Sequence, residues 1–134
     1  MNIEERITKF LAAPAFGVVG ASTNPAKYGN KVLRCYLQNQ RRVVPVNPVA
    51  ESIEGIPCVG SVTELPDEVK SISVITPPDV TKAVVEQAIE KGVENVWMQP
   101  GAQHPDAVAR AESAGLNVIA DGSCVLVVLG YHDH

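Results

Sequence analysis

The sequence predicts an α/β fold: a doubly wound, mainly parallel sheet of five to six strands with helices on both faces. Three observations carry this. Short runs of Val, Ile and Ala without polar alternation recur along the chain, as strands buried on both faces require. Amphipathic helical segments alternate with them. Each clear apolar run also ends in a turn rich in glycine, proline or asparagine, which stops a strand cleanly.

The elements follow in order. Residues 2–12 are expected as a first helix, because Asn2 and Glu5 have capping-box spacing and Ile3, Ile7, Phe10 and Leu11 share a face. Pro14 stops it, and AFGVVG (15–20) reads as a buried strand. Residues 21–28 form a small, polar turn. A helix is expected over 29–40, with Val32, Leu33, Tyr36 and Leu37 on its apolar side. VVPV (43–46) is the second strand. Residues 49–60 read as irregular, with room for a very short strand at 56–59, and 61–65 as one helical turn. ISVI (72–75) is a strand, and 79–91 a helix with Val80, Val84, Ala88 and Ile89 inward. Residues 95–98 are a strand, 105–114 a helix closed by Gly115, and 117–120 the last clear strand. The apolar tail after Asp121 fits helix or strand equally. All 134 residues are expected to form one domain, without repeat or linker.

Composition narrows the function. Hydrophobic residues at 46% and charged residues at 19% exclude a disordered chain. Aromatics at 4% leave few stacking platforms, so no nucleic-acid partner is expected. Cys35, Cys58 and Cys124 are odd in number and widely spaced, which argues against a disulfide framework or a zinc site. A charged N-terminus and the lack of any membrane-length apolar run predict no signal peptide, no membrane partner and a cytoplasmic location. The net charge of −4 is uneven: no Asp or Glu occurs from Arg6 to Val49, a stretch holding Lys27, Lys31, Arg34, Arg41 and Arg42. That third of the chain suits one anionic ligand.

Ligands of such sheets bind beyond the carboxyl ends of the strands. There the chain places Gly20-Ala21-Ser22-Thr23-Asn24-Pro25-Ala26-Lys27-Tyr28-Gly29, then Asn47-Pro48, Thr76-Pro77-Pro78 and Gln99-Pro100-Gly101. In the first turn Gly20 and Ala21 let the backbone approach a ligand, Ser22 and Asn24 bring polar groups, and Lys27 brings a charge. A helix beginning near Gly29 points its free N–H groups at the same place, which suits a pyrophosphate. The dinucleotide pattern G-x-G-x-x-G fails, since Ser22 and Pro25 stand where glycines belong. The second strand ends in Asn47 rather than an acid, which weakens NAD and leaves NADP or coenzyme A. No P-loop motif occurs. His104 opens a helix, His132 and His134 lie in the tail, and no catalytic or metal-ligating constellation emerges. Tyr28 is the candidate for stacking on a base, and Trp97 belongs to the core. Cys124 is a buried thiol or one that approaches a ligand thiol.

The segments VVGAS..P.K.G, VVPVNP, EGIPCV, WMQPGA and AGLNVIAD, in this order from Phe16 to Cys124, resemble the small stand-alone CoA-binding domain proteins. That domain is similar to the CoA-binding part of the succinyl-CoA synthetase α subunit and of ADP-forming acyl-CoA synthetases. The resemblance implies a Rossmann-like sheet with coenzyme A as cofactor across the strand ends. It implies that Gly20, Ala21, Ser22, Asn24, Lys27, Tyr28 and Gly29 face the phosphates and adenosine, and that Asn47 and Pro48 sit by the ribose 3′-phosphate. Thr76, Pro77 and Pro78 would line the nucleotide or pantetheine side, with Gln99, Pro100 and Gly101 closing the other wall. Where many relatives carry an Arg beside the third turn and Asp-Arg-Cys near the last strand, this chain has Ile75-Thr76 and Asp121-Gly122-Ser123-Cys124. The expected function is binding of CoA or an acyl-CoA without chemistry of its own. The alternatives are a small NADP-binding oxidoreductase and a CoA-binding subunit of a ligase or transferase completed by a partner chain.

Overall fold

The computed structural model describes residues 1–133. Helix α1 (Ile3–Leu11) starts at Asn2, whose side-chain oxygen accepts the Glu5 N–H at 2.9 Å. There follow β1 (Ala15–Val19), α2 (Tyr28–Gln38), β2 (Val43–Val46), β3 (Ser52–Ile53), β4 (Ile56–Pro57), β5 (Val69–Val74), α3 (Pro78–Lys91), β6 (Asn95–Met98), α4 (Pro105–Ser113) and β7 (Asn117–Ile119). Five strands form one parallel sheet in the order β2-β1-β5-β6-β7. The chain leaves β1 for β2 on one side and then crosses to β5 on the other. The topological switch therefore lies between β1 and β5, where such sheets open a crevice.

The expected fold class and strand sequence hold, with three differences. β5 begins at Val69, three residues before the apolar run. The polar Ser71 is buried there because its hydroxyl donates to the Phe10 carbonyl at 2.8 Å, so the ladder continues through it. The region 49–60 is more ordered than its composition suggests. β3 and β4 pair as an antiparallel hairpin, turned through Glu54 (φ 51°) and Gly55 (φ 79°), the positive-φ pair that a tight hairpin needs. The apolar tail settles as a π-helical turn, Leu126–Gly130, packed on α2.

The two faces of the sheet differ. One holds α3 and α4 over an aliphatic cluster that includes Ile72, Val74, Val85, Val96 and Ala111. The other holds α1, α2 and the C-terminal turn over Phe10, Phe16, Tyr36 and Trp97, which concentrates most of the chain's few aromatics in one layer. Phe10 meets Trp97 edge-on at 5.2 Å, and Phe16 stacks on Tyr36 at 5.0 Å, geometries favoured by ring quadrupoles.

Burial on this face holds acids in their neutral forms. It pushes the Cys35 thiol up from 9.0 to about 11 and raises the Tyr36 hydroxyl strongly. A group with a raised folded pKa contributes stability that is complete below its unfolded pKa and is lost as pH rises toward the folded value. Stability is therefore expected to fall between pH 9 and 11. Denaturant unfolding across that interval checks this; a flat profile would show that these groups ionise in the folded protein without cost.

Candidate functional site

The strand register sets the site. Val19 lies opposite both Val46 and Val74, and Val74 opposite Met98. The next residues, Asn47, Gly20, Ile75 and Gln99, therefore share one row at the carboxyl edge, and all four expected turns leave from it. Two glycines are dictated by close approach. Gly20 has φ 94°, and a Cβ there would stand 2.7 Å from the Ile75 carbonyl oxygen. A Cβ on Gly29 would stand 2.1 Å from the Gly20 carbonyl oxygen. The start of α2 is thus pressed onto the start of its own turn, which explains a glycine spacing unlike G-x-G-x-x-G.

Four carbonyls of the turn are occupied by donors from the protein itself. Ala21 O accepts from Asn47 Nδ2 at 3.0 Å, and Ser22 O from Asn30 Nδ2 at 2.9 Å. Asn24 O accepts from the Lys27 N–H at 3.0 Å, and Pro25 O from Arg34 Nη2 at 2.7 Å. The side chains of Ser22 and Asn24 shape the turn as well, accepting the N–H groups of Asn24 and Ala26. The Asn47 amide is consumed in the same way, since its oxygen accepts from the Val49 and Ala50 N–H groups at 2.8 and 2.9 Å. Lys27 is the N-cap of α2, makes no side-chain capping bond, and no acid stands in the first turn of the helix. The positive end of α2 therefore lies beside the turn with no acid from its own first turn to offset it.

The structure also sorts the cations of the acid-free stretch. Lys31 and Arg34 each lie 3.5 Å from Asp133, Arg42 pairs with Glu68, and Arg6 with Glu112. Arg41 donates to the Leu11 carbonyl. Lys27 is exposed at the strand ends and enters no ion pair among the described residues.

Two clefts open beside the turn. One, of about 260 Å³, has an apolar wall of Val46, Val62, Val80 and Val84 with Asn47, Pro48, Ser61, Thr76 and Gln87 around it. The other, of about 270 Å³, lies between Thr76, Pro77, Pro100 and Gly101. Thr76 borders both, with its hydroxyl 2.8 Å from that of Thr81, and Pro78 opens α3. Val80 was expected in the core; it is 48% exposed, because it stands on the first turn of α3 beyond the sheet. Ser61, Val62 and Gln87 carried no site signal in the sequence, although Ser61 and Glu64 close a capping box that fixes their loop.

Gln99 turns inward and is fully buried, leaving Pro100 and Gly101 on the rim. Its Oε1 accepts from the Tyr28 hydroxyl at 3.1 Å and from the Val125 N–H at 3.0 Å. The Tyr28 hydroxyl also meets Cys124 Sγ at 2.7 Å. Burial and that thiol raise the Tyr28 pKa strongly, so it acts as a neutral hydrogen-bonding group. Cys124 is half-buried rather than enclosed. His104 caps α4 through Nδ1, which accepts from the Asp106 N–H at 3.1 Å. Among the described residues no three His, Cys, Asp or Glu side chains converge as a metal site requires. No helix among them is long and apolar enough to cross a membrane.

Known proteins share this fold. The solved structure of a conserved hypothetical protein from Pyrococcus furiosus superposes with a TM-score of 0.81 at 41% identity, covering 85% of this chain and 97% of that one. A dinucleotide-forming acetyl-coenzyme A synthetase from Ca. Korarchaeum cryptofilum, solved with phosphate and ADP, matches at TM-score 0.76 and 30% identity, over 91% of this chain and 28% of that one. The α subunit of an ADP-forming acetate–CoA ligase II from Pyrococcus furiosus is 33% identical over 88 residues, 65% of this chain and 19% of the subunit. The chain thus spans about a fifth of that ligase subunit's length. The family model of the CoA-binding domain matches residues 15–130. From β1 to the C-terminal turn, the chain belongs to the CoA-binding domain family.

Proposed function

We propose that the protein binds coenzyme A or an acyl-CoA across the carboxyl ends of its strands, without chemistry of its own. The observation that carries this reading is the first turn. Its carbonyls at Ala21, Ser22, Asn24 and Pro25 are all occupied by protein donors, while Lys27, in no ion pair among the described residues, and the start of α2, without a side-chain cap, remain beside it. Such a surface favours phosphates. In this reading Gly20, Ala21, Ser22, Asn24, Lys27, Tyr28 and Gly29 hold the phosphates and adenosine, and Asn47 and Pro48 border the ribose. The clefts on either side of Thr76 give an extended ligand successive seats, past Pro77 and Pro78 toward Pro100 and Gly101, while Gln99 supports that wall from inside the core rather than lining it.

A ligand that binds only the folded state stabilises it by about 2.7 kcal/mol at a hundredfold excess over its Kd. Thermal melting with CoA, acetyl-CoA, dephospho-CoA, NAD and NADP is expected to show the largest rise with the CoA species. A clear rise with NADP and none with any CoA species would replace this reading by nicotinamide binding. The ligase relative favours a second reading, a CoA-binding subunit completed by a partner chain. Co-purification of an ATP-binding partner from the native host is the result it requires.

A further inference from the structure

We propose that Asn30 and Arg34 are positioning residues of the phosphate turn, acting from beneath it rather than on the ligand; this rests on the CoA-binding reading above. Asn30 is fully buried and is the third residue of α2. Its Nδ2 donates to Ser22 O at 2.9 Å and to the Glu54 carboxylate at 3.2 Å. Its Oδ1 accepts from Arg34 Nε at 2.7 Å. Two acceptors on one end and a cationic donor on the other leave the amide a single orientation. Arg34 then reaches on with Nη2 to Pro25 O at 2.7 Å.

The pair thereby holds two carbonyls of the turn on the protein side. A carbonyl released from this grip would present negative charge to a phosphate that the turn must attract. Arg34 is suited to the strut and not to the ligand, because its donors are already committed. Nε goes to Asn30, Nη2 to Pro25, and Nη1 lies 3.5 Å from Asp133, with the Tyr131 ring 5.5 Å from the guanidinium carbon. The planar fork is what lets one side chain span Asn30 and Pro25, and lysine has no such geometry. Glu54 reaches Asn30 from the β3–β4 hairpin, so the hairpin is tied to the turn through the same amide.

The test compares Arg34→Gln and Arg34→Lys with wild type, using Arg42→Gln as a control that removes a cation from the same stretch but not from the turn. CoA affinity is measured by calorimetry, and the backbone amides of residues 21–29 are followed by NMR during titration with inorganic pyrophosphate. Both Arg34 variants are expected to bind CoA at least tenfold more weakly and to lose most of the pyrophosphate response. Arg42→Gln should behave as wild type. Rescue by Arg34→Lys would show that charge, not geometry, matters and would overturn the proposal, as would unchanged CoA affinity in Arg34→Gln. Asn30→Asp, which sets an oxygen against Ser22 O, should act like Arg34→Gln if it folds; the Arg34 pair decides without it. Wild type that ignores CoA but shifts its turn amides with pyrophosphate, lost in Arg34→Gln, would remove the CoA reading and uphold the strut. Wild type that responds to neither ligand would overturn both.

Discussion

Gly29→Ala is expected to destabilise the protein by about 3 kcal/mol or more, at the severe end for a single methyl group. The reason is local and unforgiving. The new Cβ would fall 2.1 Å from the Gly20 carbonyl oxygen and 3.3 Å from Ala21 Cα, both backbone atoms of a turn at the sheet edge. No side chain can swing aside, so α2 must move away from β1, and the ligand turn moves with it. CoA binding should be lost even under conditions where the variant is folded. Gly101→Ala is the matched comparison. That glycine also has positive φ, at 96°, but its Cβ would meet nothing within 4 Å, so only backbone strain of about 1–2 kcal/mol applies. Denaturant unfolding of the two variants separates crowding from strain; equal losses would show that the turn yields to the added methyl.

Lys27→Glu should weaken CoA binding by well over tenfold while leaving the fold intact. Charge reversal replaces attraction of a phosphate by repulsion at the one cation of the strand ends that has no carboxylate partner among the described residues. An acid at the N-terminus of a helix is itself favourable, so the melting temperature of the unliganded variant should hold or rise slightly. Because Lys27 is exposed, added salt should narrow the gap between wild type and variant. Equal affinities at low salt would place the phosphates elsewhere on the molecule.

Much of this architecture can be read from the chain, because a parallel sheet writes each strand as an uninterrupted apolar run and each strand end as a breaker. The four strand-end turns were legible for that reason. What escaped depends on distant partners. Ser71 looks like the end of a strand until Phe10, far back in the chain, supplies an acceptor for its hydroxyl. The hairpin at 52–57 is two residues per strand and leaves almost no periodicity to detect. Arg34 and Lys31 belong to the acid-free stretch that suits an anionic ligand, whereas Asp133 returns from the far end of the chain to pair with both. Asn30 gave no signal, since a buried asparagine in an amphipathic helix looks like any polar residue until the groups it bridges are in place. Val80 fitted the helical period of the core, and only the length of the sheet shows that the core stops short of it.

Trp97, the sole tryptophan, is fully buried in β6 and donates its indole N–H to the Ser123 carbonyl at 2.9 Å. That bond joins β6, between the central and the edge strand, to the residue just before Cys124, where the C-terminal segment turns onto α2. The protein therefore contains its own optical gauge. Indole emission, sensitive to the polarity and hydrogen bonding around the ring, reads the seating of the C-terminal segment directly, with no label attached and no competing tryptophan to subtract.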